Sequence, residues 1–192
     1  MEQREFVVRA QAGDHEAFTV LVTGRIEQLF VTARLILRSQ DAAEDAVQDA
    51  LVRAWVGLRG LRDPARFDAW LHRLLVNACY RAARRERGRR LVELKVLRTD
   101  GPPVPDGQRQ LAARDQLERG FARLPPAQRA VLVLHHYLGL PDAEAAEVLG
   151  IPLGTMKSRL SRATAAPTTT QAPNATSPTS TAPTCPGATC AL

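Results

Sequence analysis

Between residues 73 and 90 the chain carries Arg73, Asn77, Arg81, Arg84, Arg85, Arg87, Arg89 and Arg90. Steps of four and three place Arg73, Asn77, Arg81 and Arg84 along one side of a helix. Guanidinium groups match phosphate oxygens, and an Asn amide can hydrogen-bond a base edge. So many like charges repel one another unless anions come near, which favours nucleic acid over a merely soluble surface or a membrane-surface helix. A second candidate lies in LPPAQRAVLVLHHYLGLPDAEAAEVLGIPLGTMKSRLSRA, Leu124 to Ala163. On a helical wheel Leu153, Met156, Leu160 and Ala163 share one face, Thr155, Ser158 and Arg162 point the opposite way, and Lys157 and Arg159 flank them. Such a helix suits the DNA major groove, although an ordinary amphipathic helix with a solvated basic face has the same pattern. A third is acidic: Glu44, Asp45, Gln48 and Asp49 form a strip on one helix. It can pair with a basic helix of a protein partner, but spacing alone favours a solvated face, with acids near a helix N-terminus.

The elements that position these groups are helical throughout, because apolar residues recur at three and four and no segment alternates. Asp14 can cap a long helix carrying Phe18, Leu21, Val22, Ile26, Leu29, Phe30, Ala33 and Leu37. Asp41 with Glu44 resembles a capping box for a helix that buries Val47, Ala50, Leu51, Ala54, Trp55 and Leu58. Gly60 and Pro64 bracket a loop. The next helix buries Phe67, Trp70, Leu71, Leu74, Leu75 and Ala78 and ends in the arginine run near Gly88. TDGPPVPDG, Thr99 to Gly107, is a linker by composition. Beyond it come a helix to about Arg123, the Pro125-Pro126 break, a helix to about Leu138, and a helix-turn-helix. There Asp142 caps the first helix, Gly150 permits a left-handed turn, and Pro152 precedes the second. The expected fold is all-α, with two small helical domains joined by a flexible linker, each with a limited core. After Arg162 the sequence is rich in Thr and Pro without a charged residue, which predicts a disordered tail.

Lys and Arg total 26 against 20 for Asp and Glu, a net charge of +6 in 192 residues. The excess favours an anionic partner. No apolar run is long enough for a bilayer span, and MEQREFVVRA lacks the core of a secretion signal, so no membrane insertion and a cytoplasmic location are expected. Cys79 reads as a small buried apolar residue, Cys185 and Cys190 as tail thiols, and the Asn174-Ala175-Thr176 sequon as chance. Adjacent His135 and His136 point to different sides of a helix, so no metal site is expected. No cofactor and no catalytic residues are expected either, since clustered carboxylates, a metal set and an activated nucleophile are all missing.

Three stretches in order, DAAEDAVQDALVRAW, FDAWLHRLLVNACYRAARRERGRR and the Leu124–Ala163 segment, resemble the extracytoplasmic-function (ECF) sigma factors of bacterial RNA polymerase. The resemblance covers nearly all of Asp14 to Ala163. It implies a region-two-like domain over residues 1–90, a linker over 91–110, a region-four-like helix-turn-helix domain over 111–163 and the Thr/Pro-rich tail over 164–192. By the same resemblance Asp45, Gln48 and Asp49 dock on the clamp helices of core RNA polymerase, which overturns the solvated-face reading. The Leu61–Phe67 loop with Asn77, Arg81, Arg84 and Arg85 melts and reads the promoter −10 element as single strand. Thr155, Lys157, Ser158, Arg159 and Arg162 read the −35 element as duplex, and the linker threads towards the RNA exit path. An anti-sigma factor is a further implied partner. The polymerase does the chemistry; the chain itself is not an enzyme.

A stand-alone helix-turn-helix regulator explains the C-terminal module but leaves the acidic strip and the first arginine helix without a task. The chain departs from the family after Arg162, where the Thr/Pro-rich tail replaces a further basic and apolar turn. That predicts a frayed last turn and −35 binding weakened more than polymerase binding, as in a sigma factor impaired by an altered C-terminus.

Overall fold

The computed structural model describes residues 3–96 and 112–165. Residues 97–111, with the linker centre, and 166–192 of the tail lie outside these, while Thr164 and Ala165, expected to begin the disordered tail, are helical. The described residues are helical, without strands. Helices α1 (Gln3–Gln11), α2 (His15–Thr23), α3 (Ile26–Leu37), α4 (Gln40–Gly57) and α5 (Phe67–Val96) make the first module. Helices α6 (Ala112–Arg123), α7 (Pro126–Leu132), α8 (Asp142–Leu149) and α9 (Leu153–Ala165) make the second.

Local chemistry sets the helix ends. Asp14 caps α2 as expected, its carboxylate accepting from Ala17 N at 3.0 Å. The expected long helix is two, broken at Gly24-Arg25, with α3 starting at Ile26. Ser39, not Asp41, caps α4, its Oγ accepting from Ala42 N at 3.3 Å. Asp41 sits inside the first turn, where a carboxylate still favours the helix dipole. Likewise Pro141 holds the cap position of α8 and Asp142 is its first helical residue. Gly150 ends α8 with φ +64°, the left-handed conformation expected of it. After α7 the backbone widens into a π-turn over Val133–Tyr137, with Leu138 N donating to Val133 O at 3.0 Å.

Helices α4 and α5 form the spine of the first module. Ala43, Ala46, Ala50 and Ala54 are buried on α4 and let α5 approach closely, while Phe67, Leu71 and Leu75 of α5 are fully buried. Burying a side chain of that size contributes about 1.5–3 kcal/mol. Trp55 stands at the edge, stacked on His15 with centroids 4.1 Å apart and meeting Phe18 edge-on at 5.1 Å.

The two modules do not keep separate cores. Val131 and Leu134, with Ala145 and Met156, continue the same buried cluster as Leu29, Ile36, Leu75 and Val76. Helix α7 packs on α3 and α5, and α8 packs on α5. Arg129 joins the modules: it is only 8% exposed, and its Nε donates to Ile36 O at 2.6 Å across the boundary. Its Nη1 donates to Leu124 O at 3.1 Å and Ala122 O at 3.4 Å. One guanidinium thus serves the C-terminal carbonyls of both α3 and α6, where a cation is favoured. Burial, and secondarily the nearby charges of Arg38 and Arg87, weaken its hold on its proton.

Candidate nucleic-acid interface

Helix α5 carries the first candidate set. It does not stop near Gly88 but runs on to Val96, through positions expected to begin the linker. Asn77, Arg84 and Arg85 are exposed, whereas Arg81 is half-buried. Arg81 Nη2 donates to Asp49 Oδ2 at 2.7 Å, and its Nε is buried without a hydrogen-bond partner. Arg73, which falls on the same row by spacing, lies beside the helix-turn-helix: a Cβ at Gly150 would sit 3.6 Å from its Nη2. The row is therefore divided, its beginning against the second module and its Arg84-Arg85 end open to solvent.

The loop before α5 is held from a distance. Gln11 Nε2 of α1 donates to Leu58 O at 3.1 Å and to Leu61 O at 2.7 Å. Asp63 then caps the short turn Pro64–Arg66, accepting from Ala65 N at 3.0 Å. Asp68, in the first turn of α5, pairs with Arg25 and accepts from Gln3 Nε2 at 3.1 Å. The Arg25 guanidinium in turn lies 5.4 Å from the Phe67 ring centroid. Sequence reasoning missed Gln11 and Arg25, because both act across more than forty residues and no local pattern marks them.

On α4, Asp45 and Gln48 are exposed and Asp49 is half-buried. Asp49 lies between two arginines, Arg81 and, through Oδ1 at 2.8 Å, Arg53. The hydrogen bond from Arg81, then that from Arg53, outweighs burial and holds the Asp49 carboxyl below the usual carboxylate range. The same helix face continues as Val52 and Val56, which are 57% and 75% exposed. A cleft of about 670 Å³ runs along this region, with Asp45, Asp49, Arg81, Arg85, Arg87 and Arg123 among its lining residues. It brings acids and arginines that the sequence assigned to different tasks to one place.

Helix α9 carries the second candidate set. Met156 and Ala163 are fully buried and Leu160 half-buried, but Leu153 is 42% exposed, so the apolar face begins one turn later than expected. Lys157 and Arg162 are exposed, while Thr155, Ser158 and Arg159 are half-buried. Ser158 donates to Thr155 O at 3.0 Å, and Arg162 Nε donates to Ser158 O at 3.2 Å. Helix α9 reaches Ala165, and buried Ala163 anchors its last turn.

The modules meet near these surfaces. Arg66 donates to Glu147 through Nη1 and Nη2, to Oε1 at 2.5 Å and Oε2 at 3.0 Å. Arg159 lies close enough to Tyr80 of α5 to favour its phenolate, yet burial dominates and pushes the Tyr80 hydroxyl up to about 12. That hydroxyl has no hydrogen-bond partner among the described residues. Cys79 behaves as a buried apolar residue, its thiol pushed up to about 12 by burial. Among the described residues no group of three or more His, Cys, Asp or Glu can hold a metal ion. No described helix is long and apolar enough to cross a membrane.

Residues 21–89 match the family model of Sigma-70 region 2, and residues 114–166 match Sigma-70 region 4. The chain is 37% identical over 161 residues to the ECF RNA polymerase sigma factor SigM of Mycobacterium tuberculosis, covering 84% of this chain and 80% of that one. The chain belongs to the ECF RNA polymerase sigma factors. The RNA polymerase sigma-E factor of Streptomyces coelicolor is 33% identical over 155 residues, 80% of this chain and 85% of its own. Among solved structures, CnrH in complex with the cytosolic domain of CnrY aligns with a TM-score of 0.62 at 29% identity, covering 86% of this sigma factor and 94% of that chain. RpoE of Bartonella quintana, bound to the anti-sigma factor NepR, aligns with a TM-score of 0.60 at 27% identity, covering 78% and 93%. A sigma factor binds core RNA polymerase and directs it to promoter DNA for initiation. The stand-alone regulator is thereby disfavoured. No catalytic role follows from any of these relationships.

Proposed function

We propose that this sigma factor divides promoter reading between its two modules while α4 docks on the polymerase. Asp45, Gln48 and Asp49, continued by the exposed Val52 and Val56, form the surface for the clamp helices of the largest polymerase subunit. Charges there choose the partner, and the two valines add apolar area. The loop from Leu61 to Phe67, with Asn77, Arg81, Arg84 and Arg85, takes the −10 element as separated strand. Unstacking a base costs a few kcal/mol, which contacts to the freed strand must offset. Thr155, Lys157, Ser158, Arg159 and Arg162 of α9 read the −35 element in the major groove.

The observation that carries this reading is the sorting of side chains by helix. Exposed acids lie on α4, exposed arginines at the far end of α5, and exposed Lys157 and Arg162 on α9. The family supplies the order of tasks, and the exposure of these side chains supports it.

The two elements lie about 25 base pairs apart, roughly 85 Å along B-form DNA. Helix α8 packs directly on α5 here. The modules must therefore part when both elements are bound, and core polymerase holds them at promoter spacing. The linker, placed at residues 91–110, tethers the parted modules, its first residues to Val96 continuing α5. The bodies of the modules cover the rest of the distance, because 20 residues reach at most about 70 Å. An anti-sigma protein is a fitting second partner, since the solved RpoE of Bartonella quintana is bound to one. The place of action is the cytoplasm, with the polymerase, and RNA synthesis is the polymerase's chemistry.

The test is co-elution with core polymerase. Reversing Asp45 and Asp49 to Lys should abolish stable association, because like charges then meet at the clamp. A double variant that co-elutes as tightly as the parent sinks the docking assignment.

A further inference from the structure

We infer that the Arg81–Asp49 pair couples polymerase docking to −10 strand binding, each partner being masked in the free chain by the other. The inference rests on the reading above, which gives Asp49 to the polymerase and Arg81 to DNA. The two side chains meet at 2.7 Å, on different helices and 32 positions apart in sequence, and are 38% and 33% exposed. The contact thus spans the two proposed binding surfaces.

The contact is of a kind that exchanges easily. Arg81 binds Asp49 through one nitrogen only, and its Nε is buried without a partner. A guanidinium held at one corner, with a donor left unsatisfied, gains by turning to a phosphate that accepts from two nitrogens. Asp49 is the more tightly held partner, since Arg53 contacts its other oxygen at 2.8 Å. When a basic polymerase surface takes Asp49, Arg81 loses its acceptor and becomes available to the strand. When a strand phosphate takes Arg81, Asp49 loses a counter-charge and becomes a better target for the polymerase. Linkage requires the two effects to be equal.

A partly exposed pair limits the coupling to about 1.5- to 5-fold. The measurement is fluorescence anisotropy of the full-length chain with a labelled −10 single strand, using wild type, Asp49→Asn, Arg81→Ala, the double variant and Asp41→Asn. Asp41 is exposed on the same helix and removes the same charge without touching Arg81. Thermal unfolding of each variant checks that it is folded. Arg81→Ala should weaken strand binding. Asp49→Asn should strengthen it by 1.5- to 5-fold, Asp41→Asn should raise it less, and in the Arg81→Ala background Asp49→Asn should raise it no more than Asp41→Asn does. Arg81→Ala should tighten core polymerase binding by the same factor that Asp49→Asn tightens strand binding.

If Arg81→Ala leaves strand binding unchanged, the DNA assignment of Arg81 fails and the coupling fails with it. If Arg81→Ala weakens binding but Asp49→Asn does not strengthen it, the assignment stands and the coupling alone is overturned. A gain from Asp49→Asn that persists undiminished without Arg81, or that Asp41→Asn matches, also overturns the coupling, because bulk charge then explains it.

Discussion

The two proposed DNA-reading surfaces differ in what the closed chain does to them. The far end of α5 presents Arg84, Arg85 and Arg87 to solvent. Helix α9 keeps Thr155, Ser158 and Arg159 half-buried, with Arg159 close to Tyr80. The second module also lies on the first through Arg66–Glu147 and the Arg129–Ile36 hydrogen bond. The first surface can meet an anion at once. The second has one side chain, Arg159, beside the first module, and the proposed reading expects it to be freed as the modules separate. On the proposed reading, recognition is gated at Arg159 alone, where opening would free a side chain that now lies by Tyr80 of α5.

The sharpest way to break the comparison is to damage the core that both surfaces share. Phe67 is fully buried at the start of α5, beneath the Arg25 guanidinium. Phe67→Ala should cost about 3–5 kcal/mol, large against the stability of a small helical protein. Urea unfolding should show a lower midpoint, with both DNA surfaces lost together. A variant that loses one and keeps the other contradicts the shared core.

Next comes the open surface. Replacing Arg84 and Arg85 with Glu removes two phosphate partners and introduces repulsion, and should lower open-complex formation by roughly tenfold or more at moderate salt. Their exposure predicts little change in thermal stability. Permanganate footprinting of the −10 region measures the first quantity and calorimetry the second. Unchanged melting would remove these two residues from the interface.

The gate itself gives a smaller effect. Arg66 and Glu147 are 59% and 49% exposed, so their pair contributes about 1 kcal/mol or less despite its paired geometry. Glu147→Arg should shift the population towards separated modules and raise affinity for a −35 duplex by up to about fivefold. Restoring the pair with Arg66→Glu in the same chain should reverse both. Small-angle scattering reports the separation, and duplex binding reports its consequence. Separation without a gain in duplex binding would show that the closed form does not mask α9.

Much of this arrangement was legible in the sequence, and the failures have identifiable causes. Periodicity gave the helical class, and Gly150 and Asp14 acted as their chemistry demands, because both are local. Asp41 and Asp142 were misplaced as caps because a first-turn acid and a capping acid look alike in sequence, and Ser39 and Pro141 took those positions. The break at Gly24 lay within a continuous apolar pattern. Leu153 was misassigned because the buried stripe of α9 begins only at Met156. The common core of the two modules left one trace, Arg129 inside the apolar run RAVLVL. An arginine at a core position asks for buried acceptors, here carbonyls of α3 and α6. The division of the arginine row, with Arg73 at Gly150 and Arg81 at Asp49, depends on contacts between distant segments that helical spacing does not encode.

The finest test concerns acid, and it separates the common core from the gate. His72 of α5 is half-buried, with Nδ1 2.8 Å from Asp68 O and Nε2 buried without a partner. Burial is the largest influence and lowers its pKa from 6.5, partly opposed by the Asp68 carbonyl and carboxylate. The folded chain therefore binds a proton at His72 less readily than the unfolded chain does. The stability contributed by neutral His72 is complete above about pH 6.5 and is lost as pH falls from there through the lower folded value. Urea unfolding at pH 8 and pH 5.5 should show reduced stability at the lower pH, and His72→Gln should lessen that dependence. Asp49 does not interfere, because its carboxyl pKa is lowered: the stability it contributes is present throughout this interval and is lost only at more acidic pH, below its ordinary 3.8. Module separation, read by scattering, should stay constant across the same interval, since neither Arg66–Glu147 nor the Arg129–carbonyl contact involves an imidazole. If the modules part as His72 titrates, core and gate are one device, and the distinction between an always-open and a gated surface holds only at neutral pH.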